Sequence, residues 1–592
     1  MQGMARAAER ARPGRRLALF LAIYLGLTAL IAWRLVTVQV VSADEYRELA
    51  QRQTQREIEL PPRRGTILER GGDPLAISVP AAAVYANPRA LESAELDPSF
   101  VASDLSEVLG VPMGSLMEDL TRDSGFAYLG RQLPRELGEQ VKEMRLAGIG
   151  VLEEPRRTYP SATLASQVVG FAGIDGEGLS GTEAAFEEDL SGSPGMLRQE
   201  RAPGGVTISS APQEVEAAEP GKDVMLTIDG RMQHNAERLL AHVVEAHDAL
   251  GASAVVLDVE TGEVLVMAST PGYDPSEIGA ASQYERRNRA VTDVFEPGSV
   301  AKAVTVAAAL EEGVTTPDRV VTVPDSVTVG NKRFRDSTAK AERDLSVTEI
   351  TAESSNVGTI QLAQQLGEDT LHDYLGRFGL GRSPELGFPG ESAGLLPGLD
   401  QWYSTSLPTI AIGQGVSASL LQVAGVFETI ATGGEWVQPS FVHAVADANG
   451  QLSPVAEGAR ERAISEGTAA EVAEMLAAVV TEGTGQAAAV PGYSVAGKTG
   501  TAQKPSETER GYEEGAYIAT FAGFAPVEDP QLVAAIMVDE PQDDYYGGDV
   551  AAPMFAELME FSLSHRRVAP TEGENAAKPT MGPTDDREQG DT

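Results

Sequence analysis

The 592-residue chain carries 46 basic against 87 acidic residues, a formal net charge of −41 that argues against nucleic acid as a partner and fits a solvated acidic surface. It has no cysteine, which excludes disulfides and thiolate metal sites, and its 6 histidines are scattered, with no pair at metal-ligand spacing. This length, with 42% hydrophobic residues, predicts more than one globular domain.

Residues 1–16 form a basic N-terminus with Arg6, Arg10, Arg12, Arg15 and Arg16, and residues 17–41 are almost wholly apolar. A helix over 17–41 would reach about 37 Å at ~1.5 Å per residue, enough to cross a ~30 Å hydrocarbon core. The flanking arginines predict that this end stays cytoplasmic, with Arg34 snorkelling to the outer interface. The small residues Val41-Ser42-Ala43 would also suit signal cleavage, but the apolar run is too long for a signal peptide, so an uncleaved anchor is expected.

Ala43 to Ile58 reads as an amphipathic helical stalk. Residues 42–220 are expected to form a β-rich pedestal with a helical insertion over roughly 92–148, where Asp97–Met117 and Pro134–Leu146 have helical periodicity. The Pro-, Ala-, Glu- and Ser-rich stretch Gly204–Lys222 marks a boundary. A second domain follows over 221–565. Ser253–Val259 and Glu263–Met267 flank a hairpin turn, as do Tyr517–Phe524 and Leu532–Val538, while the middle reads as helical. The strands at both ends predict one antiparallel sheet closed by distant segments, with a helical subdomain between them. Residues 566–592 lack apolar periodicity and read as a disordered tail.

Three short motifs in this second domain carry chemistry. In Ser299-Val300-Ala301-Lys302, the preceding Pro297-Gly298 predicts a helix start at Ser299, and the spacing of three predicts Lys302 beneath it. A serine hydroxyl needs an adjacent base, and lysine serves only when burial or a nearby cation, for which Lys498 is the candidate, lowers its pKa. Ser354-Ser355-Asn356 follows at a separation of 55 residues, in a polar loop. Ser354 is the expected proton relay to the leaving amine, and Asn356 the residue that orients Lys302 and holds a substrate amide. Lys498-Thr499-Gly500-Thr501 lies in a strand whose small residues Ala496, Gly497, Gly500 and Ala502 predict a bare face for an added peptide strand. Thr499 and Thr501 would offer hydroxyls to a terminal carboxylate, and the N–H groups of Ser299 and Thr501 an oxyanion hole. Each motif alone is common in unrelated proteins. Their order, spacing and settings together make the prediction.

This set is the Ser-x-x-Lys, Ser-x-Asn and Lys-Thr-Gly pattern of β-lactamases and penicillin-binding proteins. Over residues 17–565 the chain resembles the class B penicillin-binding proteins, monofunctional peptidoglycan D,D-transpeptidases, and within them the division-specific branch. The resemblance is carried by Asn288–Asp293, Phe295–Gly298, Gly387–Glu391, Ala496–Lys504 and Tyr545–Phe555, and in the pedestal by Arg64–Arg70, Arg157–Pro160, Gly170-Phe171 and Gly181–Glu183. Val300 stands where the family usually has Thr, and Glu69 where it usually has Asp. No Glu-x-x-Leu-Asn signature of a hydrolysing β-lactamase is present. The resemblance implies an α+β fold, a single-pass extracytoplasmic enzyme at the septum, and acylation of Ser299 by a D-Ala-D-Ala donor peptide or a β-lactam. Lys302, Ser354, Asn356 and Lys498 would be catalytic, Thr499, Gly500 and Thr501 would bind substrate, and no metal or organic cofactor would be needed. It implies as partners the stem peptides, a SEDS-type glycan polymerase and other division membrane proteins. A D,D-carboxypeptidase, a β-lactam hydrolase and a non-catalytic division scaffold are the competing readings.

Overall fold

The computed structural model describes residues 13–44, 46, 55–200, 214–338, 340–447, 450–456, 458–506, 511–542 and 544–571. At the N-terminus, a helix over Pro13–Val36 continues as a π-helical turn over Thr37–Val41. Its stretch Gly14–Val41 is 28 residues long, contains an apolar window of mean hydropathy 2.0, and is long and apolar enough to cross a membrane.

The chain falls into two compact units, one drawn from residues 1–62, 80–155 and 193–219, the other from 63–79, 156–192 and 220–592. In the first, the antiparallel strands Gln55–Leu60 and Gly195–Glu200 are joined by Glu214–Glu216. Gln55–Ile58 is thus strand where an amphipathic helix was expected, and most of the remaining stalk lies outside the described residues. The helical insertion is present, but its first predicted helix is two. Pro98–Leu109 is N-capped by Asp97 and ends at Gly110 (φ +68°), and Met113–Leu120 follows. Gly110 takes the left-handed conformation that stops a helix, and Pro112 lacks the N–H to continue it. These helices and Arg135–Met144 bury Val101, Leu105, Leu116, Leu120 and Val141 against Val84, Leu91 and Leu129.

The second unit is built on a five-stranded antiparallel sheet. Its strands are β1 (Gly251–Asp258), β2 (Val264–Thr270), β3 (Ala496–Pro505), β4 (Tyr512–Ala525) and β5 (Leu532–Asp539), in the order β2-β1-β5-β4-β3. The two expected hairpins are β1–β2 and β4–β5, and β5 pairs with β1 across the long helical insertion. Period-two alternation sends Leu532, Ala534, Ile536 and Val538 to one core and Val533, Ala535 and Met537 to another. The first core contains Met232 and Leu239 of α1 (Gly230–Ala246) and Phe555 and Leu558 of α6 (Gly547–His565). The second contains Val423 and Phe427 of α4 (Leu420–Ala431). With both faces covered, β5 is buried along its whole length. Each fully buried Val, Leu, Ile or Phe contributes roughly 1.5–3 kcal/mol, so these two layers hold the sheet rigid beneath the site.

The expected tail start at 566 is too early. Arg566 donates to Asp258 Oδ2 at 2.7 Å, the carbonyl of Val568 accepts the Tyr493 hydroxyl at 2.7 Å, and Thr571 N–H reaches Gly492 O at 3.0 Å. Residues 566–571 therefore belong to the folded unit, and 572–592 lie outside the described residues.

Candidate functional site

Ser299 sits in a single 3₁₀ turn, Gly298–Ala301, that leads into α2 (Lys302–Glu311). The turn is fixed by glycine. Gly298 has φ +55° and donates its N–H to Gly413 O at 2.9 Å, and a Cβ on Gly413 would meet Gly298 O at 2.0 Å. No side chain fits this crossing, so the nucleophile turn and the 413–415 turn are locked together. The Ser299 side chain lines an open cleft and has no hydrogen bond among the described residues.

Lys302, fully buried one residue beyond that turn, makes the central contact of the site. Its Nζ donates to Ser354 O at 2.6 Å, Ser354 Oγ at 3.2 Å and Asn356 Oδ1 at 2.6 Å. The sequence placed Lys302 directly beneath Ser299. Among the described residues its ammonium donates to the second motif, whose three acceptors satisfy the three donors of a buried ammonium. Ser354 reaches it in a left-handed conformation (φ +58°). Ser355 caps α3 (Asn356–Leu366), accepting from Gly358 N–H at 3.0 Å.

Asp336 holds this turn from below and was not foreseen. Its carboxylate accepts the Ser355 hydroxyl at 3.0 Å and the Val357 N–H at 3.0 Å, and the neighbouring carbonyl of Arg335 accepts Asn356 Nδ2 at 2.9 Å. Burial pulls the Lys302 pKa from the ordinary lysine value down to about 7, and the Asp336 carboxylate opposes that fall. Lys498 was expected to be the cation that lowers Lys302. The balance runs the other way: burial, then repulsion by Lys302, hold Lys498 well below the ordinary lysine value.

Lys498 lies on β3 with no exposed surface, and among the described residues its Nζ has only long contacts, 3.4 Å to Thr499 O and to Thr499 Oγ1. Thr499 Oγ1 pairs with the hydroxyl of Thr484 at 2.8 Å, and Thr501 Oγ1 accepts Gly547 N–H at 3.0 Å. Thr484 follows α5 (Glu466–Thr481), and as a lone threonine between glycines it gave no sequence signal.

The small residues of β3 do not leave a bare face. A Cβ on Gly500 would stand 2.3 Å from Thr520 Oγ1 and 3.1 Å from Pro297 O, and one on Gly497 would strike the Phe521 ring at 2.5 Å. Ala496 and Ala502 are buried. The close neighbour these residues admit is the protein's own nucleophile turn and sheet. Among the described residues β3 pairs only with β4, so its other edge can accept an added strand.

The elements converge on a cleft of about 380 Å³ lined by Ser299, Ser354, Asn356, Thr484, Thr499 and Thr501. Lys302 and Lys498, both buried, reach the lining residues Ser354, Asn356 and Thr499 through their Nζ atoms, and Gly500 lies between Thr499 and Thr501 on β3. Among the described residues no cluster of His, Asp and Glu is arranged to hold a metal ion. The cleft thus combines an unpaired hydroxyl, a buried lysine near neutrality and a row of hydroxyls along an open strand edge, which equips it for acyl transfer through serine.

Comparison with known proteins agrees with this chemistry. Residues 252–560 match the pattern described as the penicillin binding protein transpeptidase domain, and residues 59–226 match the penicillin-binding protein dimerisation domain. The chain is 34% identical to the penicillin-binding protein PbpB of Mycolicibacterium smegmatis over 578 residues, covering 92% of this chain and 89% of the relative. It is 33% identical to the peptidoglycan D,D-transpeptidase FtsI of Escherichia coli K12 over 563 residues, covering 94% and 92%. The crystal structure of penicillin binding protein 3 from Mycobacterium tuberculosis complexed with aztreonam superposes with a TM-score of 0.69 at 32% identity, covering 87% of this chain and 98% of that one.

Proposed function

The chain belongs to the class B penicillin-binding proteins and is a peptidoglycan D,D-transpeptidase, and from that premise we propose that it cross-links stem peptides through Ser299 during septal wall synthesis. The observation that carries the assignment of residues is the contact of Lys302 with both Ser354 and Asn356, on the wall of the cleft that Ser299 lines.

In this reading Lys302, neutral for part of the time near pH 7, takes the Ser299 proton as Oγ attacks the penultimate D-Ala carbonyl. The oxyanion forms against the backbone N–H groups of Ser299 and Thr501. The peptide C–N bond then breaks, Ser354 passes a proton to the departing D-Ala amine, and an ester remains on Ser299. Thr499 and Thr501, backed by Lys498, hold the terminal carboxylate, and Gly500 keeps β3 close enough to the nucleophile turn for both to act on one carbonyl. Asn356 holds a substrate amide. An amine of a second stem peptide next attacks the ester, forming the cross-link and freeing Ser299. A β-lactam would open on the same serine and leave an ester that is slow to hydrolyse. The aztreonam and ampicillin complexes of the M. tuberculosis relative support this reading.

The N-terminal apolar helix would anchor the chain by a single pass, with the catalytic unit outside the cytoplasm. The helix and the pedestal would together contact a SEDS-type glycan polymerase and other division membrane proteins. Similarity to FtsI and PbpB supports the septal role. Supplied with nascent glycan carrying pentapeptide stems, the chain should give cross-linked dimers with release of D-Ala, whereas hydrolysed monomers alone would contradict cross-linking. A fluorescent fusion should collect at the septum, and a uniform side-wall signal would contradict the division role.

A further inference from the structure

Glu296, three positions before Ser299, ties its own segment to the turn at Gln414 and to the outer end of the β3–β4 hairpin. Its Oε1 accepts the backbone N–H of Gly415 at 2.8 Å, and its Oε2 accepts the hydroxyl of Tyr512 at 2.9 Å. Gly415 ends the turn that presents Gln414 to the cleft, and the other end of that turn is held by Gly298 N–H on Gly413 O. Tyr512 opens β4 opposite Pro505, at the far end of the hairpin whose β3 carries Lys498, Thr499 and Thr501. Partial burial and the adjacent carboxylate both raise the phenol pKa, so the hydroxyl stays a donor.

We infer that Glu296 is a positioning residue for acylation, a brace that fixes the spacing between the Ser299 turn, the Gln414 turn and the β3–β4 hairpin. The inference rests on the reading that Ser299 is the acylated residue. Acyl transfer is sensitive to sub-ångström placement of its partners. Ser299 is held by Gly298, and the β3 hydroxyls by sheet pairing, but on the hairpin's outer end Glu296 joins the two walls directly. A merely structural hydrogen bond at this half-exposed position would affect folding and leave the two partners uncoupled in rate.

The test is a double-mutant cycle in the detergent-solubilised chain, with Glu296→Gln, Tyr512→Phe and the pair, read by the second-order rate of fluorescent-penicillin acylation and by melting temperature. Gln keeps an acceptor for Gly415, and Phe keeps the ring. The inference predicts that each single change slows acylation roughly 3- to 10-fold, the scale of one lost hydrogen bond. The double variant should be no slower than the slower single one, with melting within about 2 °C of the parent. Unchanged rates, multiplicative effects, or slowing that tracks a loss of melting temperature would overturn it. Labelling of the parent beside a blank Ser299→Ala checks the underlying reading separately.

Discussion

The side chain of Asn356 holds the ammonium of Lys302 at 2.6 Å, and its other end donates to the carbonyl of Arg335 at 2.9 Å. One amide thus ties Lys302, the proposed base, to the loop at Arg335, 21 residues before Asn356 in sequence. The pKa of Lys302 is set within this frame, by burial against the Asp336 carboxylate.

Acylation should rise with pH through the Lys302 transition. The base acts only when neutral, and its pKa is about 7, so the rate of β-lactam labelling should climb as pH passes from 6 to 8. Lys302→Arg stays charged and should label roughly 10²-fold more slowly or worse at every pH. The linked stability has a definite sign. The folded state releases the proton near 7 and the unfolded lysine near 10.5, so the unfolded chain binds more protons in between and stability should rise with pH across that window. Lys302→Met should lessen that slope in denaturant titrations, leaving the part that the similarly lowered Lys498 contributes.

Asp336→Asn should move the pH–rate midpoint downward. The carboxylate favours the charged form of Lys302, and without it the lysine loses its proton at lower pH. The two hydrogen bonds Asp336 accepts can partly survive on the amide oxygen. The measurement is the acylation rate from pH 5 to 9, and a midpoint that stays or rises would contradict the role given to Asp336.

Gly500→Ala should destabilise the domain and slow labelling. Its Cβ would meet Thr520 Oγ1 and Pro297 O, forcing β3 away from its neighbour and from the nucleophile turn. The expected loss is about 1–3 kcal/mol of folding stability, read by denaturant unfolding. Unaltered stability would mean that the strand shifts freely.

The fold was legible where periodicity is strong. The apolar N-terminal run and the two hairpins of the central sheet were all visible, and β5 could be assigned from its neighbours despite burial on both faces. The motif residues Ser299, Ser354, Asn356, Thr499 and Thr501, which the fold gathers around one cleft, were legible because three motifs had to meet. Asp336 was not, because it contributes through a carboxylate in an irregular loop between Arg335 and Ser337, a setting that looks like any polar turn. The small residues of β3 were read as space for a peptide, yet a sequence cannot distinguish a backbone approached by substrate from one approached by its own chain. The 566 boundary failed similarly, since the contacts of Arg566 and Val568 are made with Asp258 and Tyr493 and leave no local pattern.

Glu428 offers a test of the core beside α4. It is buried, with neither carboxylate oxygen hydrogen-bonded among the described residues, and burial raises its pKa well above 4.5, with Arg460 opposing the rise and Asp258 adding to it. An acid with a raised folded-state pKa makes stability fall as pH climbs above the ordinary glutamate range. Glu428→Gln should therefore be more stable than the parent at pH 8, and the gap should close toward pH 4. A variant equal to or weaker than the parent at pH 8 would show that the carboxylate has a partner in solution.

The most direct test of the central claim is labelling of the chain, solubilised in detergent, with a fluorescent penicillin beside Ser299→Ala. The account predicts a covalent band that persists for many minutes in the parent and is absent from a folded Ser299→Ala variant. A band that survives the substitution, or no band from folded parent protein, would contradict the assignment of Ser299 as the acylated residue of a working transpeptidase site.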